Sequence, residues 1–186
     1  MNTNLLLGTF VRLTAEEPAE LAEAMSRWGG DSEYLRLLDS EPTNRFSAKK
    51  MTEWIQKEQE KSPPSFYFFT IRTLEDDQLV GFIGLDGNPL PHGEVFVGIG
   101  IGERDAWNRG YGTDAMKVIL RYAFQEQNLR RVSLNTFEYN PRAIRSYEKV
   151  GFVHEGRARG NLCREGRRWD LLFMGILQEE WLARSD

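Results

Sequence analysis

The sequence predicts a mixed α/β fold, a single domain in which one mostly antiparallel, twisted sheet is flanked by helices. Three observations lead to this prediction. Amphipathic segments with three- to four-residue spacing alternate along the chain with aromatic and β-branched runs. Two pairs of neighbouring runs are joined by turn-forming residues, as in hairpins. No repeat, low-complexity block or linker divides the 186 residues, so one domain over residues 1–186 is expected.

The first quarter of the chain predicts two helices. In Leu13–Trp28, Thr14 and Glu17 have the spacing of a capping box, and an apolar periodic run follows them. Ser47–Lys61 is expected to form a second helix with a narrow apolar stripe. Both helices therefore precede the sheet.

The next part of the chain predicts β-structure. Ser65–Arg72 and Gln78–Leu85 are rich in aromatic and branched residues and are separated by a polar turn, which indicates a hairpin. Gly93–Gly102 predicts a third strand, which glycine interrupts at every second position from Gly98 onwards. Glycine at such positions often marks a bulge or the close approach of another backbone or a ligand.

The second half of the chain alternates between helices and strands. Asn140 is expected to cap one of these helices, with Pro141 at its first position and Gly151 just beyond its end. The predicted elements are a helix over Thr113–Gln125, a strand over Arg131–Phe137, a helix over Asn140–Val150, and strands over Phe152–Ala158 and Trp169–Ile176.

Composition argues against several classes of protein. The formal net charge of −4 does not predict a nucleic-acid partner. No run approaches the roughly 18 apolar residues of a membrane span, so no membrane partner is expected. Cys163 is the single cysteine, so no disulfide forms within the chain and a reducing, cytoplasmic location is expected. The two histidines lie in no Cys/His cluster, so no metal site is predicted.

The most informative local motif is Asn108–Thr113, which joins the third strand to an amphipathic helix. Free N–H groups at a helix start can bind an anion, and no serine, threonine or aspartate stands before Tyr111 to cap this helix. Arg104 and Arg109 add positive charge nearby. The segment fits a phosphate-binding loop, and an ordinary glycine turn fits it as well. Neither the dinucleotide-binding fingerprint nor a Walker-type motif occurs.

Three segments together resemble the GNAT N-acetyltransferase superfamily, and are most similar to its branch that acetylates ribosomal-protein N-termini and related small amines. The segments are GIGIGERDAWNRGYGTDAMKVILRYAF, NTFEYNPRAIRSYEKVGFVHEGR and WDLLFMGILQEEW. The similarity runs from Phe66 to Trp181, with the two N-terminal helices in the expected place. The order and spacing of the three segments make the match specific.

The resemblance implies that acetyl-CoA is the co-substrate. Its pantetheine amides would pair with the backbone of the third strand, and its pyrophosphate would bind at the glycine loop. The residues assigned to it are Ile99, Gly100 and Ile101 on the strand, and Arg104, Asn108, Arg109, Gly110, Tyr111, Gly112 and Thr113 at the loop. Trp107 stands where the family usually has glutamine or arginine, so one side-chain donor to phosphate is absent.

Asn140 and Tyr147 match the family's N-x-x-A-x-x-x-Y segment, with Ala143 between them. The resemblance places both residues beside acetyl-CoA and puts Tyr147 near the thioester sulfur. A phenol there can protonate the departing thiolate as a general acid. Alternatively, Tyr147 is a half-buried core aromatic, because it shares one helix face with Ala143 and Val150.

The general base is open between two glutamates and water. Relatives often carry a glutamate at the position of Phe96. Glu94 lies two residues earlier, and since side chains alternate along a strand it points to the same face. Glu138 lies just before the Asn140 helix and is the second candidate. An exposed strand-end carboxylate and a solvated loop carboxylate are the alternatives, and ordered water alone would also remove the proton.

The predicted reaction is direct attack of a primary amine on the thioester, with the amine belonging to a protein N-terminus or a small molecule. A polyamine acetyltransferase, an aminoglycoside-modifying enzyme and a weakly active acyl-CoA-binding module are the alternatives. Trp28, Asp31, Glu33 and Tyr34 would suit a cationic amine at the acceptor site, and a solvated polar loop accounts for them equally. A homodimer through the C-terminal strands is compatible with the sequence.

Overall fold

A computed structural model describes residues 4–60, 66–86 and 92–184 of the chain. Within these ranges, seven strands form one sheet in the order β1-β2-β3-β4-β5-β7-β6. The strands are β1 Val11–Thr14, β2 Phe66–Thr73, β3 Leu79–Asp86, β4 Glu94–Ile101, β5 Arg131–Phe137, β6 Val153–Arg164 and β7 Arg167–Leu177. Neighbouring strands are antiparallel except for β4 and β5, which are parallel. The predicted mixed α/β fold with a mostly antiparallel sheet is confirmed.

Helices cover both faces of this sheet. In the described ranges they are α1 Pro18–Trp28, α2 Ser32–Leu38, α3 Ala48–Gln59, α4 Tyr111–Arg121, α5 Pro141–Val150 and α6 Gln178–Leu182. A short 3₁₀ turn at Arg104–Ala106 precedes α4, and a π-helical turn at Tyr122–Glu126 extends it. The predicted helix Thr113–Gln125 is thus confirmed, with its start two residues earlier.

The sheet buries apolar side chains on both faces because side chains alternate along each strand. On one face, Val95 and Val97 of β4 join the main core, to which α4 contributes the fully buried Met116. On the other face, Trp28 of α1 packs edge-on against Tyr34 of α2. Full burial of each large apolar side chain stabilises the fold by about 1.5–3 kcal/mol.

The predicted helix Leu13–Trp28 is wrong at its start. Its first two residues belong to β1, where they pair with β2. The helix begins at Pro18, because the proline ring favours the first helical position and has no N–H to leave unsatisfied. Glu17 rather than Thr14 is the N-cap, and it makes no side-chain capping bond. Pairing within the sheet therefore overrides the capping-box spacing.

The segment that follows α1 forms the short helix α2 rather than a solvated loop. Asp31 caps this helix by accepting hydrogen bonds from the backbone N–H groups of Glu33 at 3.0 Å and Tyr34 at 3.2 Å. The predicted helix end at Lys61 and the predicted strand start at Ser65 lie outside the described residues.

The hairpin of β6 and β7 is longer than predicted. Val153–Arg164 and Arg167–Leu177 extend beyond Phe152–Ala158 and Trp169–Ile176. Most of the added positions are polar or charged, and many are exposed, so they lack the apolar alternation that signals a strand. The short helix α6 after β7 was not predicted either.

β4 and β5 separate after a short parallel pairing. Their register covers Glu94–Phe96 and Arg131–Ser133, and beyond these residues the two strands diverge. One edge of the rest of β4 therefore faces a gap, with its backbone N–H and C=O groups available to a ligand. The starts of α4 and α5 lie beyond the ends of these strands, at the open end of the gap.

Candidate active site

A cleft of about 530 Å³ occupies the gap between β4 and β5. Its walls are the outer part of β4, the start of α4, the end of β5 and one face of α5. The predicted site residues that line it are Ile99, Gly100, Ile101, Asn108, Gly110, Tyr111, Gly112, Thr113, Asn140 and Tyr147. The structure thus brings together residues from three separate segments of the chain.

The loop before α4 has the geometry of an anion-binding turn. Gly110, the N-cap of α4, has a φ of +85°, and no side chain caps this helix. Asn108 is also left-handed, with a φ of +62°, a conformation that asparagine tolerates better than most residues. The first N–H groups of α4 therefore open towards the cleft, where their partial positive charge attracts an anion.

The glycines around the cleft are required for different reasons. A methyl group on Gly100 would lie 2.9 Å from the Tyr34 hydroxyl oxygen and 3.0 Å from the Phe82 ring, so packing requires glycine there. A methyl group on Gly98 would meet no atom within 4 Å. On Gly112 its nearest neighbour, on β4, would be 3.5 Å away, which is an ordinary contact. Gly98 therefore leaves space that a ligand can fill, whereas a methyl group on Gly112 would lie against β4.

Two arginines that the sequence assigned to acetyl-CoA do not line the cleft. Arg104 makes ion pairs with Asp31 at 2.6 Å and with Glu33 at 2.8 Å, so its charge is neutralised locally. Arg109 is exposed and lies close enough to Asp76 to lower the pKa of that carboxyl, in addition to the larger effect of a hydrogen bond from Thr73. The structure gives these two side chains other neighbours, and their assignment to phosphate stays a prediction. The backbone amide of Arg109 lies within the loop.

Trp107 joins the loop to both walls of the cleft. Its Nε1 donates a hydrogen bond to the carbonyl of Ile101 at 2.7 Å, which ties the loop to β4. The guanidinium groups of Arg104 and Arg142 lie over its ring, with Cζ 4.1 and 3.6 Å from the centroid. Arg142 belongs to α5. Its guanidinium group therefore supplies a cation beside Trp107, the residue that replaces the expected side-chain donor to phosphate.

Sequence reasoning missed three cations on α5. Arg142, Arg145 and Lys149 all line the cleft, and their spacing of three and four residues places them on one helix face. That spacing was the signal available in the sequence. Burial lowers the pKa of Arg142 from its ordinary value, and within the described ranges no carboxylate forms an ion pair with it. An anionic ligand in the cleft would compensate these charges.

Tyr147 both packs in the core and lines the cleft. Its ring packs edge-on against Phe152, with centroids 6.0 Å apart, and it also lines the cleft. Burial raises the pKa of its phenol to about 12, so the hydroxyl stays protonated at physiological pH. That hydroxyl has no hydrogen-bond partner among the described residues. Asn140 caps α5 as predicted, with Oδ1 accepting from the N–H of Ala143 at 3.2 Å.

Neither glutamate suggested as the general base lines the cleft. Glu94 accepts hydrogen bonds from Ser133 at 2.6 Å and from Arg131 at 2.9 Å, and these partners hold its pKa below the ordinary value. Glu138 accepts a hydrogen bond from Arg157 at 3.0 Å. Both carboxylates are engaged by arginines outside the cleft, and their assignment as general base stays a prediction.

Among the described residues, Asp86 is the one aspartate or glutamate that lines the cleft. It ends β3 and lies directly opposite Phe96 of β4, so the two side chains share one face of the sheet. Directly opposite residues have Cβ atoms about 4.5–5.5 Å apart. Asp86 therefore places a carboxylate beside Phe96, the position at which the family resemblance implies a glutamate.

The part of the cleft next to α2 is apolar rather than acidic. Its lining residues are Tyr34, Leu37, Leu38, Phe66, Phe82 and Phe96. Asp31 and Glu33, which the sequence offered to a cationic amine, pair instead with Arg104. Burial raises the pKa of Tyr34, so this phenol also stays neutral.

In the part of the chain that the structure describes, no three histidine, cysteine, aspartate or glutamate residues group closely enough to hold a metal ion. No helix among the same residues is long and apolar enough to cross a bilayer.

Comparison with known proteins shows the family. Residues 11–153 match the family model described as an acetyltransferase (GNAT) domain. The chain is 28% identical over 151 residues to YokL of Bacillus subtilis (strain 168), an SPbeta prophage-derived uncharacterized N-acetyltransferase, covering 81% of this chain and 82% of that one. It is 31% identical to YdaF of the same strain, provisionally named a ribosomal N-acetyltransferase, over 58% of each chain.

Solved structures share the fold. The spermidine N-acetyltransferase from Vibrio cholerae, in complex with CoA and spermine, superposes with a TM-score of 0.81 at 23% identity and covers 92% of this chain and 98% of that one. A GNAT-family acetyltransferase from Bacillus anthracis superposes with a TM-score of 0.77 at 21% identity, covering 94% and 99%. At these identities the likeness concerns the fold.

Proposed function

The chain belongs to the GNAT acetyltransferase family, and on that premise we propose that it transfers an acetyl group from acetyl-CoA to a primary amine. The amine attacks the thioester directly, and no acetyl-enzyme forms. The acetyltransferase activity follows from the family. The assignment of particular residues and of the acceptor is the proposal.

One observation carries the proposal: the start of α4, which no side chain caps, opens into the same cleft as the free edge of β4 and the Tyr147 hydroxyl. An elongated anionic thioester fits these three features together. Its pyrophosphate would bind the loop amides, its amide-containing arm would pair with β4, and its sulfur would lie near the phenol. Arg142, Arg145 and Lys149 supply the positive charge that balances the phosphates.

The ammonium form of the acceptor loses two protons in the reaction, and the thiolate gains one. Asp86, directly or through a water molecule, takes the proton that the ammonium ion loses before attack. The nitrogen lone pair then attacks the carbonyl carbon, the carbon–sulfur bond breaks as the new amide forms, and the nitrogen releases its second proton to solvent. Tyr147 donates its proton to the departing thiolate and recovers one from solvent. Gly98 leaves the space in which the amine can approach.

The structure favours a peptide N-terminus over a polyamine as the acceptor. A polyamine needs several carboxylates, but Asp31 and Glu33 are neutralised by Arg104, and Asp86 is the carboxylate that remains in the described part of the cleft. The apolar wall contributed by α2 and Phe96 suits the side chains of a peptide instead. The name of YdaF points to the same acceptor class.

Thermal unfolding with CoA tests the binding site. We expect CoA at about 100 times its Kd to stabilise the protein by about 2.7 kcal/mol, a Tm increase of roughly 5–10 °C. Gly112→Ala should keep the Tm measured without ligand, because its methyl group makes ordinary contacts. It should reduce the increase, because the methyl group lies among the loop amides proposed to bind the pyrophosphate.

Gly156→Ala is the control, since an added methyl group there meets no atom within 4 Å and lies in β6, away from the cleft. It should respond to CoA like the unaltered protein. A release assay for free thiol with N-terminal peptides, spermidine and an aminoglycoside then identifies the acceptor. No Tm increase at millimolar CoA would refute the site, and thiol release with none of these amines would refute the transferase.

A further inference from the structure

The outer half of the β6–β7 hairpin concentrates positive charge in a protein of net charge −4. Five arginines and two glutamates lie between Val153 and Arg168. Both glutamates are engaged by cations from elsewhere in the fold, Glu155 by Arg131 and Glu165 by Arg36. Of the five arginines, Arg157 pairs with Glu138 and Asp170. The other four, Arg159, Arg164, Arg167 and Arg168, form no ion pair among the described residues.

Two of these arginines face each other across the hairpin. Arg164 and Arg167 are directly opposite in the register, so their side chains leave the same face, and like charges in this arrangement are destabilising. Arg164 donates to the carbonyl of Asp39 at 2.6 Å, whereas Arg167 stacks on Trp169 with Cζ 3.9 Å from the ring centroid. Neither makes an ion pair with a carboxylate among the described residues. An anionic partner would relieve their repulsion.

A continuous row of side chains leads from the cleft to these arginines. Phe137 lines the cleft and stacks on Tyr139, with centroids 5.1 Å apart. Tyr139 meets Trp169 edge-on at 5.3 Å, and Arg167 covers Trp169. We call Arg164, Arg167 and Trp169 the arginine face.

The arginine face is held beside the acceptor end of the cleft. The Tyr139 hydroxyl donates to the carbonyl of Arg36 in α2 at 2.8 Å, and Arg36 pairs with Glu165 at the hairpin turn at 2.7 Å. Leu37 and Leu38, the next residues of α2, line the cleft. The hairpin turn and the end of α2 thus form one lip of the acceptor entrance.

We propose that this lip selects acceptors whose reactive N-terminus is followed by acidic residues, with the carboxylates bound at the arginine face. The inference rests on the proposed function and specifies its substrate class. Leu171 of β7 is paired with Phe137. Arg167 precedes Leu171 by four residues in the same strand, which places it about 13 Å from Leu171 at about 3.3 Å per residue. An extended peptide whose side chain contacts Phe137 therefore presents its acidic residues about four positions later. Stacking on Trp169 limits the motion of Arg167 and prepares it to bind a carboxylate.

Two peptides with the same first three residues test the proposal, one with glutamate and one with glutamine at positions four to eight. At low salt we expect kcat/KM to be about five-fold higher for the acidic peptide, the size of effect that one or two exposed ion pairs produce. The preference should decline with added salt, because exposed charges are screened beyond about 8 Å at physiological ionic strength.

Arg167→Glu and Arg168→Glu form a matched pair of variants. They are neighbours on β7 with the same charge change, but Arg168 lies opposite Cys163 and leaves the other face of the hairpin. Arg167→Glu should abolish or reverse the preference, and Arg168→Glu should retain it. Far-ultraviolet circular dichroism and Tm confirm that both variants fold.

Equal kcat/KM values for the two peptides, or equal losses in the two variants, would overturn the proposal while leaving acetyl transfer intact. Absence of thiol release with any amine would refute the proposed function instead. A single-stranded RNA that inhibits the unaltered protein but not Arg167→Glu, with no difference between the peptides, would assign the arginine face to nucleic acid and also overturn the proposal.

Discussion

Single residues in this fold carry roles that neighbouring residues of the same type do not share. Gly100 is required by the Tyr34 and Phe82 side chains, whereas Gly98 on the same face opens into space. The alternating glycines of β4 predicted that another group lies close to the strand backbone. Whether that group is a side chain or a ligand depends on which side chains the neighbouring helices and strands place against each glycine. The same holds for Arg104, whose partners on α2 decide its role.

At Tyr147, we expect Tyr147→Phe to lower kcat by about 10²-fold, because removal of a general acid costs about 10²–10⁴-fold. Phenylalanine keeps the edge-on packing against Phe152, so the Tm and the response to CoA should change little. Since burial raises the pKa of Tyr147 to about 12, the rate of the unaltered protein should not fall on the alkaline side below about pH 11. An unchanged kcat in the variant would leave Tyr147 as a core aromatic alone.

At Asp86, we expect Asp86→Asn to lower kcat/KM by about 10- to 100-fold near neutral pH, where the acceptor is an ammonium ion. The defect should shrink at high pH, because a free N-terminal amine with a pKa of about 7.7–8.0 needs no base. Glu94→Gln is the control, since Glu94 lies outside the cleft. A defect of the same size at every pH would exclude proton transfer as the role of Asp86.

At the scale of elements, contacts between segments decide where helices begin and how they are oriented. Val11–Thr14 join the sheet as β1, and Glu16 then anchors the start of α1 to β2. Its two carboxylate oxygens accept from Nε and Nη2 of Arg72, each at 2.7 Å, and the two side chains are only 6% and 16% exposed. This contact between distant segments has no signal in local periodicity.

Glu16→Gln should reduce the free energy of unfolding by about 2 kcal/mol, since a well-formed charged hydrogen bond is worth about 1.5–3 kcal/mol. The hydrogen bond from Arg72 lowers the pKa of Glu16. Its contribution is therefore complete above the unfolded pKa of about 4.3 and is lost as the pH falls through the lower folded pKa.

Urea unfolding between pH 7 and pH 3 measures this effect. The unaltered protein should lose more stability than Glu16→Gln over that range. Glu17→Gln, a neighbouring exposed residue that makes no capping bond, should stay within about 0.5 kcal/mol of the unaltered protein. Parallel pH dependences for Glu16→Gln and the unaltered protein would show that the ion pair does not contribute.

At the scale of the whole molecule, the local charge of the cleft and of the hairpin beside it differs from the net charge of the chain. The chain is acidic overall, yet its cleft carries Arg142, Arg145 and Lys149, and the hairpin beside it carries the arginine face. Net charge therefore does not describe the charge that a ligand meets. Asp31 and Glu33 near the cleft are paired with Arg104, whereas Arg142, Arg164 and Arg167 form no ion pair among the described residues.

The sequence by itself determined the fold class, the glycine loop before α4 and the Asn140–Tyr147 helix, since each depends on local spacing or on backbone freedom within a few residues. Only the tertiary structure decided which charges are free. Glu94 and Glu138 bind arginines, and Asp86 reaches the cleft because β3 pairs with β4 in a particular register. Partners far apart in sequence meet only through sheet register and helix packing, and these set the position and the ionisation of each functional group.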